Sequence, residues 1–565
     1  YGSGAAGGGV NIITKRPDTP RYSVSTFMEV PENSDEGGTR RVTGTAGGPI
    51  NDVFSYRVTV SGTWTDPDAT DINAESAEEE DGVPGVAERA GREGVVSYNL
   101  RGLLSAEIDA SNRFDFEAAW SRQSNSFVGA TQSGSIEDVD DVLEELMSSN
   151  AETSRIDRTS LSLTHVGEYA FASSNSYIQW ENTTNRRPYE GLTRGGESVF
   201  TSTDGFRTTT LNNLSAKSEW VLPVHVWREQ KLTLGSEYRG EFLDAPIDRD
   251  ESDTGAANLN TMTSHLLGLY AEDNILVMDQ LTLTPGLRLD YHDKFGANFS
   301  PSFNASYDVT DRITVKAGIA RAFKAPNLYQ LSPEWYWNSR GNGCPAWNSG
   351  SCVMRGNADL DPEISINKEI GIAYNNMNGW EASLSYFHNN YQNKIMAGEV
   401  IQGQTSSGQN IFDWVNSGPA VISGLEGNVT VPLHERVTWT TNFTKMLQSE
   451  REVTAVLEDG SISTINSPLS LVPEYTINTA LRWEPRETLG FTLSATHYGE
   501  VKPTNVTVRG LEILEENRIS REAYTIANIA FDYEVNESVS LSAGINNLFN
   551  KRLFATGGSS SSALA

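Results

Sequence analysis

Residues 281–292 read LTLTPGLRLDYH. Leu281, Leu283, Pro285, Leu287, Leu289 and Tyr291 fall on one side of an extended chain, and Thr282, Thr284, Gly286, Arg288, Asp290 and His292 on the other. Successive side chains of a strand point to opposite faces, so the stretch is a β-strand with one apolar and one polar face. The same holds for Ile313, Val315, Ala317 and Ile319 against Thr314, Lys316, Gly318 and Ala320, and for Trp380, Ala382, Leu384 and Tyr386 against Glu381, Ser383 and Ser385. Short polar turns at 278–280, 307–312 and 533–537 join such strands. Much longer polar stretches (124–157, 186–212, 242–262, 324–363 and 389–420) separate one pair from the next.

Short turns at one end and long loops at the other are the asymmetry of a transmembrane β-barrel. A soluble sandwich shows the same alternation but spreads it over about 100 residues. A propeller needs a blade-length repeat, and none is found. Trp120, Tyr291, Tyr374 and Trp380 sit near strand ends, where an interfacial girdle would place them. The chain has 565 residues, 38% of them hydrophobic, with 20 Tyr, 20 Phe and 12 Trp, too many aromatics for a disordered chain. No run of about 18 apolar residues occurs, which excludes helical spans but not a barrel, whose strands need only alternate apolar residues. The expected fold is all-β, a transmembrane antiparallel barrel.

The 43 Lys and Arg face 74 Asp and Glu, a net charge of −31. Such a surface repels polyphosphate, so nucleic acid is not an expected partner, and an anionic ligand would need a local arginine cluster. The two cysteines, Cys344 and Cys352, are too few for a zinc ribbon. One small disulfide in an oxidising compartment fits them better. There is no G-x-S-x-G, H-E-x-x-H or C-x-x-C, and the seven histidines are not spaced for a metal site. The chain is therefore expected to be no enzyme and to hold no intrinsic cofactor or metal. The glycine run Gly2 to Gly9 neither follows a strand nor opens a helix, so it reads as a turn rather than a dinucleotide site. Residues 135–149 fit a short acidic loop helix, solvated or cation-binding.

Several stretches carry a family resemblance. YGSGAAGGGVNIITKRP (1–17) resembles the end of the plug domain of TonB-dependent outer-membrane receptors. GIARAFKAPNLYQLSPEWYWNSRGNGC (318–344), the C-x7-C spacing, RGNADLDPEISINKEIGIAY (355–374), ISGLEGNVTVP (422–432), LVPEYTINTALRW (471–483) and GINNLFNKRLF (544–554) resemble the ferric enterobactin branch. The resemblance implies a 22-stranded type of barrel filled by an N-terminal plug. On that template residues 1–17 are the end of the plug and 18–565 a barrel without its final strand, with about 21 strands present. The chain reads as a fragment missing sequence at both ends. The implied activity is outer-membrane import of a ferric siderophore of catecholate type, driven through TonB. A non-catecholate ferric chelate, a passive porin and a secreted adhesive protein are the alternatives. Implied partners are the ferric catecholate, TonB acting on the plug, and outer-membrane lipid and lipopolysaccharide, with phage and bacteriocins as further candidates.

A ferric catecholate is a rigid aromatic trianion. Guanidinium stays charged and stacks on flat rings, and aromatic side chains add contact area at low entropy cost. Iron arrives chelated, so direct metal ligands are not expected. On the family pattern Arg155, Arg158 and Arg187 match binding arginines and Phe127 a binding aromatic; each arginine could instead pair with an acid such as Asp157 or Glu190. Trp335, Tyr336, Trp337 and Arg340 share a loop with the cysteines, as a capture platform or as packing that holds the loop shut. Glu369 and Glu426 match lumen glutamates that pair with plug arginines. Asp157 between the arginines, Leu161 in place of an aromatic, and the acidic stretch 137–145 depart from the pattern and leave the siderophore's identity open.

Overall fold

The computed structural model describes residues 18–69, 72, 92–126, 152–188, 206–226, 228–245, 261–339, 344–345, 348, 352–406, 408–469, 471–507, 510–518 and 520–551, the side chains of 187–188, 206–207 and 337–339 excepted. The glycine run, Phe127, the 135–149 segment and Arg340 lie outside these residues.

Among the described residues alternation produces one large antiparallel sheet of 22 strand segments. It is an up-and-down meander in which each strand pairs with its neighbours in sequence, from Arg21–Glu29 and Thr39–Pro49 through to Tyr524–Asn536 and Val539–Ile545. Ile462–Pro468 and Tyr475–Arg486 lie end to end along one edge of Val437–Val456, so the sheet has one strand place fewer than its segments. That agrees with the expected count of about 21. Among the described residues Arg21–Glu29 and Val539–Ile545 each pair on one side only, and every residue of both is exposed.

The apolar faces align across strands. Leu269, Leu289 and Phe299 stand directly opposite one another on three adjoining strands and are 54%, 48% and 52% exposed. Leu104, Phe116, Leu163 and Ile178 form a second exposed row, and Trp439, Leu481, Leu493 and Ile529 a third. Apolar rows left open on the outer face of a continuous hydrogen-bonded ladder have lipid as their fitting solvent. No described helix is long and apolar enough to cross a membrane; the strands do the crossing.

The strands run farther than alternation predicted. Glu152–Tyr169, Ala172–Pro188 and Phe206–His225 reach well into the expected loops 124–157 and 186–212. Beyond the lipid both faces of a strand meet water, so the two-residue period disappears while the ladder continues: Ser124 still pairs with Arg155, and Arg122 with Asp157. Two clusters of buried apolar residues lie at the long-loop end.

Candidate functional site

The two long loops after Lys324 and Gln392 do not remain separate. Tyr336–Ser339 pairs with Cys352–Arg355, which lies parallel to Asn410–Ser417; that strand in turn pairs with Lys394–Ala397 and Gly403–Gln404. A five-stranded sheet thus binds both loops into one layer. Cys344 and Cys352 are disulfide-bonded, their Cα atoms 5.9 Å apart, and pack with Met354 and Phe412 in a buried cluster. Beside it Arg355 donates from Nε and Nη2 to the two oxygens of Asp413 at 2.7 and 2.9 Å. Those hydrogen bonds outweigh partial burial and hold the guanidinium above its ordinary range. A bidentate pair of this kind fixes orientation as well as charge.

The start of the first loop is anchored to the barrel. Helix Leu328–Leu331 is closed by a capping box in which Asn327 accepts from the Gln330 N–H at 2.8 Å and Gln330 accepts from the Asn327 N–H at 3.0 Å. Leu328 packs with Leu243, Ala245 and Met262, and Tyr329 and Trp335 lie against them with ring centroids 4.5 Å apart. Trp335 therefore sits in a packed contact between loop and wall. Tyr336 and Trp337 lie in the loop sheet, opposite Arg355 and Met354. Trp337 is described by its backbone alone.

Two of the arginines matched by resemblance, Arg155 and Arg158, do not converge. Arg155 and Arg158 are three apart on one regular strand, which puts them on opposite faces. Arg155 shares the outer face with Leu161 and Leu163, and its guanidinium lies 3.1 Å from Asp157 and 3.7 Å from Glu152. Arg158 looks into the lumen, 3.7 Å from Glu181 and 3.4 Å from the Thr183 hydroxyl. Arg187 stands opposite Arg207 on the next strand, known by its backbone only. The odd separation along the strand thus places Arg155 and Arg158 on opposite faces of the wall.

Glu369 and Glu426 do share a face. They stand on strands either side of Glu381–Gln392, opposite Phe387 and Ser385, on the lumen side away from exposed Ile370, Ile372 and Leu384. Glu369 lines a hollow of about 290 Å³ with Lys316, Asn304 and Thr284. Farther round the wall lies a network that sequence reading missed. Arg288 donates to Glu237 at 2.9 Å and to Asp290 at 2.7 Å, and Arg239 meets the other Glu237 oxygen at 2.6 Å. Tyr270 donates to Glu219 at 2.6 Å and lies under the Arg288 guanidinium. Arg288 and Asp290 sit in the polar half of the 281–292 alternation; their burial depends on strands that the local sequence does not name. Among the described residues no group of three His, Cys, Asp or Glu is placed to hold a metal ion.

Comparison with known proteins agrees with this architecture. Residues 93–548 match the family model "TonB dependent receptor-like, beta-barrel". The chain is 41% identical to the ferric enterobactin receptor PirA of Pseudomonas aeruginosa and 35% identical to the ferrienterobactin receptor of Escherichia coli K12. Each match covers 99% of this chain and 74% of the relative. A crystal structure of a mutant ferric enterobactin receptor from P. aeruginosa in complex with enterobactin superposes with a TM-score of 0.88 at 38% identity, covering 99% of this chain and 80% of that one. A 22-segment meander with lipid-facing apolar rows and loops gathered at one end, matched along its length by such relatives, makes this chain a member of the TonB-dependent receptor family, a β-barrel of the outer membrane.

Proposed function

We propose that this receptor imports a ferric catecholate siderophore of the enterobactin type, with energy delivered through TonB. The observation that carries the reading is the end-to-end similarity to receptors named for ferric enterobactin, one of them crystallised with enterobactin. The chemistry agrees. Iron enters as part of the cargo, so the protein needs cationic and aromatic groups rather than metal ligands. Arg158 supplies a lumen-facing guanidinium near the long-loop end, and guanidinium suits a flat trianion by charge and by stacking. Glu369 and Glu426 are the candidate partners for plug arginines; a carboxylate covered by a plug would need such a partner to offset its desolvation. The layered loops above would then meet the cargo before the lumen does.

The test is tryptophan quenching of the receptor in detergent by ferric enterobactin and by a ferric hydroxamate. Tight catecholate binding with weak hydroxamate binding is the expected result. The reverse order would retain the transporter and overturn the cargo. Uptake that persists in cells lacking TonB would point to a passive pore instead.

A further inference from the structure

Strand Val437–Val456 changes which of its side chains face inward partway along its length. Up to Met446 the even-numbered residues face the lumen: Asn442 stands opposite Asn428 and Asn478, and Thr444 opposite Glu426 and Thr476, while Trp439 lies in a lipid-facing row. Between the pairs Gly424–Met446 and Ser423–Gln448 the register shifts by one residue, the exposed Leu447. A bulge of this kind re-aims the side chains beyond it. Ser449 and Arg451 therefore face inward, opposite Ile422 and Ala420, and Glu450 and Glu452 alternate to the other side. Without the extra residue Arg451 would point the way Trp439 does.

Arg451 sits where the wall meets the loop sheet. Its neighbours across the ladder, Ala420 and Ser467, are both buried. Its Nη1 lies 3.9 Å from the sulfur of Met396, on the loop-sheet strand Lys394–Ala397, and the Ser417 hydroxyl donates to that same sulfur at 2.8 Å. Among the described residues no carboxylate pairs with this guanidinium, and its Nε is buried without a hydrogen-bond partner. The Ser449 hydroxyl, the previous residue on the inward face, is buried and unpartnered too. Burial with no acid to offset it holds the guanidinium below its ordinary range. Buried polar atoms almost always have partners, so two orphans in succession on one face mark a place built to receive something. Other cations at this end divide their charge with acids: Arg158 with Glu181, Lys324 with Glu363 and Arg355 with Asp413.

We propose that Arg451 is a specificity-determining residue: it holds an uncompensated positive charge just beneath the loop sheet, contacts the chelate as it passes from loops to lumen, and so favours anionic over neutral cargo. The proposal rests on the catecholate reading above. A trianion supplies the acceptor oxygens and counter-charge that the guanidinium and the Ser449 hydroxyl lack. In a half-buried site the attraction is screened less than at the surface, so one unshared charge counts for more here than on the acidic exterior. The Met396 thioether is a weak acceptor and yields the guanidinium readily.

The experiment titrates the whole receptor in detergent with ferric enterobactin and with a neutral ferric hydroxamate, by tryptophan quenching at two salt concentrations. Arg451→Gln should weaken ferric enterobactin binding by about tenfold and leave the weak hydroxamate binding unchanged. Raising NaCl from about 0.05 M to about 0.5 M should cost the wild type about threefold more affinity than it costs the variant. An arginine with a purely structural role would not alter that salt dependence. Arg451→Lys keeps the charge and should recover most of the affinity. Met396→Leu removes the sulfur contact, leaves the charge, and should bind as the wild type does. Should Arg451→Gln fail to fold, Arg451→Met fills the same space without a polar group and carries the same expectation. A variant that binds ferric enterobactin with wild-type affinity and salt dependence would overturn the role of Arg451 and leave the cargo reading standing. An equal loss for both chelates would overturn the charge selectivity. A wild type that prefers the hydroxamate would overturn both the role and the cargo reading.

Discussion

At the scale of single residues, the deciding fact is which way a side chain points. Arg155 and Arg158 look alike in sequence, yet the strand sends one outward among Leu161 and Leu163 and the other inward beside Glu181. Arg158→Ala should therefore weaken ferric enterobactin binding by about tenfold, the worth of one charge-assisted contact. Arg155→Ala should change it by less than about twofold. Quenching titrations of the two variants check this, and equal losses would mean the cargo does not distinguish the faces. Gly268 shows the same sensitivity from the other side. It lies between Glu237 and Asp290, and a Cβ there would come 2.8 Å from an Asp290 oxygen and closer still to the Arg288 guanidinium. Arg288 is 5% exposed and Asp290 fully buried, so the pair has little room to move. Gly268→Val should separate buried charges and destabilise the barrel by about 3 kcal/mol. The readout is a lower temperature for loss of the heat-resistant folded band on electrophoresis.

At the scale of elements, the alternating stretch 281–292 became a strand with the expected faces because its middle lies against lipid on one side and the lumen on the other. The loop sheet was not legible. Cys352–Arg355 and Asn410–Ser417 are short, neither alternates, and their parallel pairing joins segments far apart in sequence. Arg355 and Asp413 each read as an ordinary loop charge until that pairing sets them side by side. Asp413→Ala should leave a partly buried guanidinium without its bidentate partner and loosen the layer. Limited proteolysis should then cut residues 392–420 faster while the barrel strands stay intact. Unchanged cleavage would mean the disulfide and the Met354–Phe412 cluster hold the layer by themselves.

At the scale of the whole molecule, stability and location come from the outer surface rather than from a central core. The exposed rows through Leu104, Leu289 and Leu481 meet lipid, and the polar faces meet the lumen. Leu289→Arg would set a charge in the lipid-facing row, at a cost of about 2–4 kcal/mol near the bilayer middle. Less receptor should reach the outer membrane in folded form, as read by the folded band in membrane fractions, whereas Asp290→Asn on the opposite face should perturb lumen pairing instead. The sequence by itself determined the barrel class, the lipid-facing positions and, through resemblance, the receptor family. The two-residue period is local, and the bilayer enforces it strand by strand. Tertiary structure alone decided that two distant loops fuse across Arg355 and Asp413, and that Arg288 is buried between Glu237 and Asp290. Those outcomes depend on register between strands and on long-range pairing, and no local pattern carries either.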